Sequence, residues 1–255
     1  MTTTTTTHTE PGGELQRILN VTRLHLTNKF PMMVLPLLIL GFIFLVNYLI
    51  WWLIRGVTDP QGAADATQGM QFSGASSFIF IYMLVVAVQS VNLTFPFALG
   101  YSVTRRDFYL GTSVMFVLLS GYYAVIMTVM AGLERATNGW GLGGGMFDVI
   151  YFRTDNLAQQ FVLFLLTFLF FFFVGAATAA VYVRWRANGM YVFFAILTLL
   201  VIGLVALATY TESWPQVGAW FATNGALGVA LWSLTVTALC ALTGFLLIRK
   251  ATPKN

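Results

Sequence analysis

Six stretches of mostly apolar residues dominate the sequence, near 32–54, 75–98, 109–133, 157–183, 190–210 and 225–248. A helix needs about 20 such residues to cross the hydrocarbon core of a bilayer, and inside that core every backbone N–H and C=O has to find its partner within the protein. The windows therefore predict an all-α integral membrane protein with six transmembrane helices. Charged residues make up only 9% of the chain, against about 25% in an ordinary soluble domain, and no segment between windows is long enough for a separate soluble domain. The expected organisation is a disordered polar tail at 1–13, an amphipathic helix at 14–30, a six-helix transmembrane domain at 31–250 and a short tail at 251–255.

The distribution of charge orients the helices. With the N-terminus cytoplasmic, Arg17, Arg23, Lys29, Arg105, Arg106, Arg184, Arg186, Arg249, Lys250 and Lys254 lie inside, and only Arg55, Arg135 and Arg153 lie outside. This matches the excess of Lys and Arg in cytoplasmic loops and puts both termini in the cytoplasm. The net charge of +4 is thus a topology signal rather than a mark of nucleic-acid binding. The one cysteine, Cys240, falls within an apolar window and reads as packing.

Ahead of the first window, "ELQRILNVTRLHLTNKF" places Leu15, Ile18, Leu19, Thr22, Leu26 and Phe30 on one helical face, with Arg23 and Lys29 at its flanks. Such a pattern predicts an interfacial helix whose basic side chains reach lipid headgroups. Trp51 and Trp52 read as an aromatic anchor at the outer interface, Asn47 as a hydrogen-bonding contact between helices, and Pro96 as a kink or end of the second span. Gly175, Ala176, Ala179 and Ala180 offer a small-residue face that seats a neighbouring helix. The glycine-rich "ERATNGWGLGGG" reads as a flexible external turn. "TESWPQVGAWFATNG" predicts a short element at or dipping into the outer leaflet, carrying Trp214, Pro215, Trp220 and Phe221.

Catalytic signatures are missing. The two histidines, His8 and His25, precede the first window, no zinc-protease or Walker A pattern occurs, and the three lysines lie outside any glycine-rich strand-to-helix context. No catalytic residue, metal site or cofactor is expected on the chain itself. Charged residues map to window edges and loops, whereas ion-coupled carriers bury titratable groups at depth. An energy source, if one is used, is expected on a partner.

Between the second and third windows lies "ALGYSVTRRDFYLGTS". Thr104 and Asp107 stand three residues apart, the spacing of a helix N-cap and its reciprocal partner. Arg105 and Arg106 make the tip of this turn cationic. The amphipathic N-terminal segment, the six windows, this turn and the "SWPQVGAWF" element, in that order, make nearly the whole chain resemble the ABC-2 type permease family, the membrane subunits of ATP-binding-cassette exporters. The resemblance implies a bacterial plasma-membrane export permease, and the aromatic, uncharged spans suit a hydrophobic or amphipathic substrate. It also implies a second permease copy or paralogue and separate ATPase subunits that hold ATP and magnesium. In that family the turn after the second span is a coupling helix, so Val103, Thr104, Arg105, Arg106, Asp107 and Phe108 would contact the ATPase, with Arg184 and Arg186 as a second contact. The segment containing Trp214 to Phe221 would be re-entrant. A passive channel and a non-transporting subunit of a membrane assembly complex remain as alternative readings.

Overall fold

The computed structural model describes residues 13–27, 29–57 and 60–251. The polar tail expected at 1–13 and the tail expected at 251–255 therefore lie almost wholly outside the described residues. The elements are α1 (Glu14–His25), a π-helical turn (Phe30–Val34), α2 (Leu35–Val57), α3 (Pro60–Met70), α4 (Ser77–Gly100), α5 (Arg105–Ala136), a second π-helical turn (Gly139–Gly143), α6 (Leu157–Tyr210) and α7 (Trp214–Arg249). No strand occurs among the described residues. Among the described residues five helices are long and apolar enough to cross a membrane, and the fold is that of an all-α, membrane-embedded protein.

Six windows occupy five helices because the fourth and fifth share α6, which has 54 residues. At about 1.5 Å per residue an unbroken helix of that length would run about 80 Å, far beyond a hydrocarbon core of about 30 Å. The backbone of α6 breaks at Arg186, with φ 58° and ψ −150°. The pieces on either side, 157–185 and 187–210, each exceed the length needed to cross. Helix α7 likewise breaks at Gly225, φ 61°, where the absence of a Cβ removes the steric penalty of the left-handed region. A short helical segment from Trp214 thus precedes the last apolar stretch.

The entry into α2 is shaped by two prolines. Pro36 has no N–H, so the Met32 carbonyl loses its usual helical donor. The Leu35 N–H bonds back to the Phe30 carbonyl in a π-type turn, which frees the Pro31 carbonyl as well. Tyrosines from neighbouring helices supply both missing donors. The Tyr82 hydroxyl donates to Pro31 O at 3.0 Å, and the Tyr123 hydroxyl donates to Met32 O.

Helices α4, α5 and the first part of α6 make the core. Phe80 packs on Phe168 at 4.8 Å between ring centres and Phe116 stacks on Phe172 at 4.9 Å. The small-residue face of α6 is buried, and a Cβ on Gly175 would stand 2.5 Å from Leu84 O and 2.9 Å from Ala87 Cβ of α4. In contrast, every residue from Tyr191 to Val205 except Phe193 is exposed.

Several local expectations are corrected. Pro96 does not end α4, which continues through it to Gly100. Asn47 donates to Ile43 O of its own helix at 2.8 Å rather than bridging to another. Trp51 is buried against the glycine-rich loop, leaving Trp52 as the exposed member of the pair. Helix α3 forms where the sequence suggested only a connection, and α1 ends at His25 instead of extending to residue 30.

Gly175→Leu should lower the stability of the detergent-solubilised protein by about 2 kcal/mol through overpacking against α4. Gly203→Leu, where a Cβ meets nothing within 4 Å, should leave it unchanged. Thermal unfolding of both variants checks the pair.

Candidate functional site

Helix α5 starts where Thr104, in an extended conformation, accepts the Asp107 N–H on its Oγ1 at 3.1 Å. This is the N-cap that the Thr-x-x-Asp spacing predicts. The Asp107 carboxylate is nevertheless turned into the protein. It accepts from Arg17 Nε of α1 at 3.0 Å, with its own side chain almost fully buried. One turn further, α1 lies directly on α5: a Cβ on Gly111 would be 2.6 Å from Val21 Cβ and 2.7 Å from Ile18 O. Only glycine permits that approach.

The contact is polar at its centre. Thr22 Oγ1 stands 3.0 Å from the Gly111 carbonyl, and His25 Nε2 stands 2.9 Å from Thr112 Oγ1. The Thr112 hydroxyl donates its single hydrogen to Phe108 O at 2.8 Å. His25 must therefore donate from Nε2, which leaves Nδ1 as the unprotonated nitrogen of the neutral ring. That Nδ1 is buried and without a partner among the described residues. Burial disfavours the charged imidazolium and pulls the His25 pKa down to about 4.

Two further ties complete this pole. Arg106 pairs with Glu14 of α1 at 2.7 Å, both side chains about half exposed, a pair worth at most about 1 kcal/mol. Arg105 Nη1 donates to the carbonyl of Arg249 at the end of α7 at 3.2 Å. The first turn of α5 is thus held by both α1 and α7.

The residues expected to dock a partner divide into two sets. Thr104 and Arg106 are exposed and Arg105 is partly so, while Asp107 and Phe108 are buried inside the chain. Val103 is half-buried and packs on the core. Arg184 precedes the break in α6 and Arg186 forms it; Arg184 lies 4.6 Å over the Trp185 ring and Arg186 lies 5.9 Å over Tyr182. On α1 the buried residues are Val21, Thr22 and His25, whereas Leu15, Leu19 and Arg23 are exposed and Ile18 is intermediate. Beyond α1, Leu26 is half-buried and Lys29 exposed. The helix therefore has two apolar aspects, one on α5 and one open. Trp214, Pro215, Trp220 and Phe221 are exposed, with Trp220 6.3 Å from Trp232 across the Gly225 break.

The other end of α5, about 48 Å away at 1.5 Å per residue, holds a second cluster that sequence reasoning missed. Glu134 is buried, and its two oxygens accept from the N–H groups of Met146, Phe147 and Asp148 at 2.8 to 3.2 Å and from Trp140 Nε1 at 2.8 Å. Asp148, also buried, bridges Arg135 at 2.6 Å and Arg153 at 3.0 Å. Arg135 also donates to Gln160 Oε1 at 2.8 Å. The glycine-rich segment is accordingly an ordered cap with Met146 to Val149 buried beneath it, not the flexible turn its composition suggested. The adjacent Glu134-Arg135 pair immediately before the glycines was the available signal.

Comparison with family models, curated proteins and solved structures finds no match.

The buried His25 makes the attachment of α1 pH-dependent. Its folded pKa of about 4 lies below the unperturbed value of about 6.5. Its contribution is therefore complete above pH 6.5 and is lost as pH falls toward 4, amounting to about 2 kcal/mol between pH 7 and pH 5. Amide hydrogen exchange of residues 14–25, corrected for intrinsic rates, should accelerate at pH 5. His25→Gln should remove most of that increment.

Proposed function

We propose that the chain is the transmembrane permease subunit of an ATP-binding-cassette exporter, driven by ATPase subunits on separate chains. In this reading α2, α4, α5, the two pieces of α6 and the last stretch of α7 are six spans, with both termini in the cytoplasm of a bacterial plasma membrane. The observation that carries the proposal is the pole at the start of α5. There the interfacial helix, the Arg105-Arg106 turn and the end of α7 are tied by Arg17–Asp107, Glu14–Arg106 and Arg105–Arg249 O. A push on that turn would reach α1, α5 and α7 together, which is what coupling to a soluble motor requires.

The ATPase would meet Thr104, Arg105 and Arg106, and Asp107 and Phe108 would serve inside the permease by holding α1 and the α5 base. Two copies of the chain, or one copy with a paralogue, would enclose the path between them, and ATP and magnesium would be bound by the partner. The apolar, aromatic helices favour a hydrophobic or amphipathic substrate.

Arg105→Glu combined with Arg106→Glu should leave the chain in the membrane while abolishing co-purification of a Walker A-containing ATPase subunit and vanadate-sensitive ATP hydrolysis. The milder Arg105→Gln/Arg106→Gln pair should weaken both. Full association and hydrolysis in the charge-reversed variant would sink the proposal.

A further inference from the structure

Two cavities meet at Arg153. One, of about 520 Å³, lies at the Glu134 end of α5 and is lined by Gln71, Arg135, Asn138, Asp148, Arg153 and Thr154 among others. The second, of about 570 Å³, opens between α6 and α7, where Phe152, Leu163, Phe170, Phe221 and Val229 join Arg153 in its wall. Polar groups of this second cavity are already used: Thr167 donates to Leu163 O at 2.8 Å and Ser233 to Ala230 O at 2.7 Å. The Tyr151 hydroxyl is likewise used, on Ser73 O, so apart from Arg153 the side chains offer hydrocarbon. The Gly225 break, where nothing lies within 4 Å of a Cβ, forms one edge of the space.

Formal charges in the first cavity cancel, but the surface it offers is cationic. Glu134 is saturated by backbone N–H groups and the Trp140 indole, and Asp148 by two guanidiniums; both carboxylates are more than nine-tenths buried. The guanidiniums are the open members, with the Arg153 side chain 48% exposed and that of Arg135 27%. Arg135 spends Nη2 on Asp148 and Gln160, and its unpartnered Nε is itself buried, so this partly exposed side chain lends its charge beside the more open Arg153. Arg153 spends Nε and Nη2 on Asp148, so Nη1 remains for a ligand. An entering anion would find charge-assisted donors in a planar fork, and a cation would face two like charges.

We infer that this end of the molecule binds an anionic amphiphile, whose carboxylate or phosphate head rests on Arg153 and Arg135 and whose hydrocarbon tail lies between α6 and α7. Arg153 is the hinge of the inference because it belongs to both cavities, so a head bound to it has the apolar space within reach. Apolar burial supplies affinity and the guanidiniums select the head. The site stands whether or not the chain couples to an ATPase.

Binding of radiolabelled palmitate to the purified, detergent-solubilised full chain at pH 8, without ATP, tests it. Unlabelled palmitate and lysophosphatidate should displace the label; hexadecanol, which has the tail without the charge, and inorganic phosphate, which has the charge without the tail, should each need at least about tenfold more. Arg153→Gln should weaken palmitate about tenfold and Arg153→Lys should recover part of the loss. Val229→Trp, which fills the apolar cavity and leaves the ion pairs alone, should weaken it comparably. Hexadecanol competing as well as palmitate would overturn the anionic head, and phosphate competing as well as lysophosphatidate would overturn the tail site. Unchanged binding in both Arg153→Gln and Val229→Trp would overturn the location. Should Arg153→Gln not fold, Val229→Trp and the competitor series still decide.

Discussion

Hydrocarbon offers no hydrogen bonds, so each departure from regular helix in this chain has to be satisfied by the protein itself. The start of α2 shows how. Pro36 and the π-type turn strand two carbonyls, and two tyrosines from α4 and α5 donate to them. Those phenols do more than settle a local debt, because they fix where α2 sits against the core. Helix α2 is otherwise largely uncovered, so a backbone irregularity has become its attachment.

Charge obeys the same constraint at greater cost: in the five membrane-length helices it lies near their ends or, for Arg184 and Arg186, at the break in α6. Helix α5 runs from Asp107, clamped by Arg17, to Glu134, surrounded by amide donors. The two carboxylates do different things. Asp107 draws a helix that precedes the bundle onto its side. Glu134 gathers backbone N–H groups that have no strand or helix to pair with and so gives a glycine-rich loop one shape. Without such an acceptor these buried amides would each carry a desolvation penalty of about 1–3 kcal/mol.

Length and hydropathy made the helices legible. The N-cap at Thr104 and the small-residue face at Gly175 were also readable, because each depends on residues within one or two turns. Less readable was anything decided by residues distant in sequence. Asn47 looked like a contact between helices, yet its own Ile43 carbonyl was nearer. The apolar face of Leu15, Leu19 and Phe30 was visible in the sequence, but the contact of Val21, Thr22 and His25 with α5 was not, because it depends on glycine at 111. The order of the glycine-rich loop was hidden because glycine content signals freedom, while the carboxylate that removes that freedom sits in the preceding helix. The break at Arg186 was expected from helix length as a loop, and its compactness, one residue in the left-handed region, leaves no compositional trace.

The Arg17–Asp107 pair joins residues 90 positions apart. A ribosome adding about 5–20 residues per second completes α1 roughly 5–20 s before Asp107 exists to receive it. During that interval Val21, Thr22 and His25 have no protein to cover them. The same residues that end as an internal seam are therefore the last part of α1 to be covered, while Leu15 and Leu19 stay open even after docking. The divided apolar character of α1 separates what the fold covers late from what it does not cover.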